Sequence, residues 1–193
     1  MTKRLVVIAA VLGVIALPAF ADDLPDPTKT PGAILGTVPD DQVASCLSDK
    51  TGTNVQVDDT ITVDLICTPG YSKCIRNVPQ AEKMAVYQSY GLAGNHTGYC
   101  DTKQGCEVDH LISLELGGSN EQTNLWPEPY QGTDWNAHVK DQLENFLHAH
   151  VCSGDIALDQ AQQEIAKDWI ASYKKRLGNH LTVADLGFAL TDC

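Results

Sequence analysis

The sequence is short of cations, of long apolar runs and of closely paired cysteines, and each shortage excludes something. Lys and Arg total 13 against 25 Asp and Glu, a formal net charge of −12. Proteins that grip phosphate backbones by bulk electrostatics are basic, because counterion release drives that binding. A chain this acidic is repelled by nucleic acid at long range, so any chemistry on a polyanion must come from a local site. The one uninterrupted apolar run, Leu5–Leu17, falls short of the roughly 20 residues that span a bilayer as a helix. No C-x-x-C pair occurs among the seven cysteines at 46, 67, 74, 100, 106, 152 and 193, which argues against a zinc-ribbon arrangement. Internal repeats, low-complexity tracts and any recognisable base-reading element are missing too.

What is present begins with a secretory leader. Lys3 and Arg4 precede the apolar run, and Ala19-Phe20-Ala21 supplies a small-x-small cleavage pattern before Asp22. A signal peptide is therefore expected over residues 1–21, with a mature chain exported to the periplasm or the medium. Its loss removes two cations and takes the formal charge from −12 to −14. Cysteines in an exported chain are most simply disulfides, so three bridges and one leftover thiol are expected. Cys67 with Cys152 is the one pairing guessed.

Residues 22–60 read as an acidic, partly flexible segment, with nine Asp between 22 and 64 against Lys29 and Lys50. Residues 61–193 read as one α+β domain, stapled by disulfides. Ile61, Val63 and Leu65 alternate as a strand would. A helix is predicted from about Pro79 to a Gly91 stop. Residues 107–116 alternate again, Gly117-Gly118-Ser119-Asn120 signals a loop, and Leu125-Trp126 makes a short strand broken by Pro127 and Pro129. A helix capped by Thr133 or Asp134 runs to about Val151 on a stripe of Val139, Leu143, Phe146 and Leu147. Another spans Leu158–Leu177, with Ala161, Ile165, Trp169 and Tyr173 on one face. The basic Lys174-Lys175-Arg176 at its end suits a helix C-terminus.

Chemistry is concentrated in Asp109-His110, with Gly117-Gly118 seven and eight residues after the histidine, Asn124-Leu125 beyond, and His138 on the following helix. A carboxylate beside an imidazole offers a cation ligand and a proton acceptor together, the two needs of phosphodiester hydrolysis. This spacing resembles the HNH (His-Me finger) endonucleases, and Gly70-Tyr71-Ser72-Lys73 and Asn124-Leu125-Trp126-Pro127 extend the likeness to exported bacterial proteins of that kind. The resemblance implies a ββα-metal fold over about 107–151 and hydrolysis of DNA or RNA with low sequence specificity. It implies His110 as general base, Asn124 as the residue fixing loop and base, and Asp109 and His138 as ligands of one divalent ion. Asp141, one turn beyond His138, is a possible extra ligand. Mg²⁺ is the first expectation for the ion, with Mn²⁺, Ni²⁺ or Zn²⁺ also suited to the ligand types. Ser113 stands where many relatives carry a proline, and the paired zinc cysteines of many relatives are missing. A rival expectation is a non-catalytic exported binding protein on the same scaffold. An immunity or delivery partner is a further possibility that the chain does not reveal.

Overall fold

The computed structural model describes residues 24–37, 40–52, 60–92, 105–130 and 133–178. The expected leader, Cys100 and Cys193 lie outside these. Among the described residues the chain forms helices α1 (Asp40–Thr51), α2 (Val63–Ile66), α3 (Tyr71–Ile75) and α4 (Gln80–Ser89). These are followed by strands β1 (Cys106–His110) and β2 (Leu125–Pro129), then helices α5 (Ala137–Cys152) and α6 (Leu158–Leu177). The architecture is α+β, with a two-stranded antiparallel sheet in which His110 pairs with Leu125 and Asp109 with Trp126.

The apolar stripes read from the sequence are the ones that pack. Val139, Leu143 and Leu147 of α5 meet Ala161, Ile165, Trp169 and Tyr173 of α6 in the main core, joined by Val43 and Leu47 of α1. Burying each such large aliphatic side chain contributes about 1.5–3 kcal/mol. A smaller cluster, built on Val86, Tyr87, Val108 and Leu125, packs α4 against one face of the sheet. Successive residues of a strand point to opposite faces, so His110 shares the α4 face with Val108 and Leu125, while Asp109 and Trp126 share the face toward α5.

Several local expectations are corrected. The strand expected over 61–67 is helix α2, because the Thr62 hydroxyl accepts from Leu65 N at 3.2 Å and starts a turn instead. The alternation at 107–116 ends at His110. Asn124 then captures both backbone groups of Ile112, and Leu114–Leu116 close into a 3-10 turn capped by Ser113. Strand β2 continues through Pro127 and Pro129. They occupy alternate positions on the strand, and among the described residues β2 pairs with β1 alone, so no second strand demands their missing N–H groups. Helix α5 is capped by Asn136, whose side chain accepts from His138 N, rather than by Thr133 or Asp134.

Residues 30–35, expected as part of a loose acidic segment, instead form a strap across the 117–124 loop. Gly32 N donates to Thr123 O, Leu35 N to Gly117 O, and Ser119 N to Ala33 O. Cys67 and Cys152 are bridged as expected, with Cα atoms 5.8 Å apart, fastening the end of α2 to the end of α5. Cys46 and Cys74 join α1 to α3. Cys106 is also disulfide-bonded. Such bridges fit an oxidising, exported environment. No helix of the described residues is long and apolar enough to cross a membrane.

Candidate functional site

The motif residues are built around Asn124, which is fully buried. Its Oδ1 accepts from Ile112 N at 3.0 Å and Ala33 N at 3.2 Å, and its Nδ2 donates to Ile112 O and Ser119 O, each at 2.9 Å. One side chain thus satisfies the turn after β1, the glycine loop and the strap together. The glycines are dictated by the same crowding. Gly117 has φ +76, and a Cβ there would lie 2.7 Å from Ile61 Cγ2. A Cβ on Gly118 would overlap the Ile112 carbonyl oxygen. Both positions require glycine on steric grounds.

His110 ends β1 and is 2 % exposed. Its Nε2 lies 3.1 Å from Asn120 Oδ1. The Asn120 amide is itself oriented, since its Nδ2 donates to Ile75 O at 2.9 Å and its Oδ1 accepts from Asn77 N at 3.1 Å. With Oδ1 facing the ring, the network assigns the proton to Nε2 and leaves a lone pair on Nδ1. That Nδ1 is buried and, among the described residues, has no hydrogen-bond partner. Burial holds the imidazole down at about 4, against the upward pull of Asp109, so the ring is neutral at neutral pH. Asn120 was read in the sequence only as part of a loop signal.

Asp109 lies on the other face. Its Oδ2 is 2.5 Å from Lys140 Nζ, and the same ammonium donates to His110 O at 2.8 Å and to Glu144. Lys140 is 1 % exposed. Glu128, also 1 % exposed, hydrogen-bonds Asp109, while its Oε1 has no partner. Burial would raise the Asp109 carboxyl, but the Lys140 charge outweighs it and holds the group low. Burial wins at Glu128, which is pushed well up, and at Glu144, raised to about 8. Burial and the charge of Asp109 also raise Glu107 and Asp141. The neighbourhood holds more carboxylates than one ammonium can neutralise.

His138, in the first turn of α5, is exposed. Its ring lies 5.8 Å from that of Tyr130, whose hydroxyl donates to Glu107 at 2.9 Å. Asp141 is on the same helix, and its charge is felt by Glu107 and Glu144. His110 thus ends the sheet beside Leu125, whereas His138 lies against Tyr130, which follows the other end of β2, and His110 and Asp109 face opposite ways. Lys140, Glu128 and Glu144 were not read as site residues. A lysine on the buried side of α5, between Ala137 and Leu143, was the available signal.

Among the described residues, the three-membered group whose ligand atoms lie within 4.8 Å of one another is elsewhere, at Cys67, His148 and Cys152. This group could hold a metal ion. Both sulfurs are joined in the bridge, however, and metals bind thiolates, so it is open to a metal only when that bridge is reduced. Nε2 of His148 sits 3.1 Å from Ile66 O and 3.4 Å from Cys152 Sγ. The basic tail of α6 is engaged as well: Lys175 and Arg176 both bind Glu164. Comparison with known protein families, with curated proteins and with solved structures gives no match.

Proposed function

We propose that this protein is an exported, periplasmic or secreted endonuclease of the HNH kind, hydrolysing phosphodiester bonds of DNA or RNA with little sequence preference. The observation that carries this reading is His110: a buried, neutral imidazole whose tautomer Asn120 sets and whose Nδ1 is left unpaired. That atom takes a proton from the attacking water, while Nε2–H stays on Asn120 and keeps the ring in plane with its task. Asn124 and the two glycines hold the turn that carries the ring.

Asp109 and His138 are the residues that would hold a divalent ion, Mg²⁺ first and Mn²⁺, Ni²⁺ or Zn²⁺ next, with Asp141 a further candidate ligand. The surplus of carboxylates and the orphaned Glu128 Oε1 support a cation there. Such an ion supplies the positive charge at the scissile phosphate that the acidic chain lacks.

The pairing of Asp109 with Lys140 favours the second reading, a non-catalytic exported binding protein on the same scaffold. Digestion of plasmid DNA and of RNA by purified protein separates the two. Cleavage with one of the four ions, lost in His110→Ala, is the expected result. Intact substrate with all four overturns the enzyme reading, and equal cleavage by His110→Ala overturns the mechanism.

A further inference from the structure

An acidic nuclease needs a local grip on the substrate, and four of the ten described Lys and Arg side chains are held in ion pairs. Lys140 is buried among carboxylates, Lys29 pairs with Asp26, and Lys175 and Arg176 pair with Glu164. Lys174 lies over the Trp135 ring. Lys50, Lys73, Lys83, Lys167 and Arg76 are in no such pair among the described residues, and of these Arg76 is the one flanked by residues that bind Asn120. It is exposed at the end of α3, and among the described residues its guanidinium has no hydrogen bond or ion pair.

Its position is nevertheless fixed from both sides. The residue before it, Ile75, accepts from Asn120 Nδ2, and the residue after it, Asn77, donates to Asn120 Oδ1. Asn120 is also the residue that holds His110. Arg76 therefore projects from a backbone clipped to the same amide that sets the imidazole. The Cys46–Cys74 bridge anchors the preceding turn of α3 to α1. The charge of Arg76 is also felt at His110 and at Asp141. A planar guanidinium with free N–H groups matches the paired oxygens of a phosphate.

We infer that Arg76 is the substrate-gripping residue of this site, its guanidinium binding the non-bridging oxygens of a nucleic-acid phosphate presented to His110. The inference rests on the nuclease reading for its substrate class. Two of its consequences are specific. Removing the side chain weakens nucleic-acid binding and removes one phosphate contact from its salt dependence. Replacing it by lysine keeps the charge but loses the fork.

The test is binding of a short fluorescein-labelled DNA oligonucleotide, followed by anisotropy over a range of NaCl. It is made on His110→Ala and on His110→Ala combined with Arg76→Ala or Arg76→Lys, with far-UV circular dichroism to check folding. The expected result for Arg76→Ala is about 10- to 100-fold weaker binding, as for a lost hydrogen bond to a charged group. The slope of log affinity against log salt should fall by about 0.7–0.9, and Arg76→Lys should recover the slope but only part of the affinity. Unchanged affinity and slope in Arg76→Ala, or no oligonucleotide binding by the parent, overturns the grip. The nuclease reading fails separately: an Arg76-dependent affinity in a protein that cuts nothing leaves the grip standing and removes the catalysis.

Discussion

The Lys140 ammonium lies 2.5 Å from Asp109 Oδ2, with the lysine side chain 1 % exposed, so helix α5 is tied to strand β1 by a buried charge. The same ammonium reaches Glu144 and the His110 carbonyl. Removing one partner of a buried pair costs about 3–5 kcal/mol, because the remaining charge is left without compensation. Lys140→Met is therefore expected to lower stability by about that amount, read as the urea midpoint of unfolding. Glu144→Gln, which keeps the Asp109 contact, is expected to cost less than half as much.

Burial of His110 makes its stability contribution depend on pH. The folded imidazole is held near about 4, whereas an unfolded histidine titrates near about 6.5. Above the unfolded value neither state binds the proton. As pH falls from there toward the folded value, only the unfolded chain binds it, and stability is lost at about 1.4 kcal/mol per pH unit. In chelator, the stability difference between wild type and His110→Gln should therefore shrink between about pH 6.5 and 4, and be constant above. A pH-independent difference would show that the ring is not held neutral by burial.

Asn120 sets the tautomer of His110 through one hydrogen bond. Asn120→Ala frees the ring to exchange its proton between the two nitrogens. On the proposed mechanism, kcat for DNA cleavage falls by about 10- to 100-fold, the range found for partners that orient a functional histidine. KM should rise as well, because the same amide fixes the backbone on both sides of Arg76. A change confined to KM would place Asn120 in substrate binding instead.

Asn124→Ala and Gly118→Ala act on the scaffold. The first leaves four hydrogen-bonded backbone groups of the loop and strap without their partner, and each unsatisfied buried group costs about 1–3 kcal/mol. The second pushes a methyl group into the Ile112 carbonyl. Either variant is expected to lower the melting temperature by more than about 10 °C, since 1 kcal/mol shifts a domain of this size by roughly 2–4 °C.

The Cys67–Cys152 bridge closes a sequence separation of 85 residues. In the chain-entropy account a loop of that size is worth roughly 4–5 kcal/mol. The double variant Cys67→Ser/Cys152→Ser should lose about that much in urea unfolding, measured with the other bridges intact. A loss under about 1 kcal/mol would mean that α2 and α5 are held together without the bridge.

The features the sequence by itself determined are those encoded over a few residues. The 3.6-residue stripes placed α5 and α6 and named their buried faces, because an amphipathic helix declares itself within two turns. Gly117, Gly118 and Asn124 stood out by spacing, and sterics and hydrogen bonding around Ile112 explain why those residue types are needed there. Local alternation misled at 61–67 and 112–116, where Thr62, Ser113 and Asn124 offered the backbone partners that a strand would have supplied. Tertiary structure alone decided which way the charges turned. Asp109 pairs with a lysine 31 residues away, His110 with an asparagine that α3 orients, and Glu128 is buried between two prolines that read as strand breakers. Those partnerships depend on which faces of sheet and helix meet, and no local pattern in a chain records that meeting.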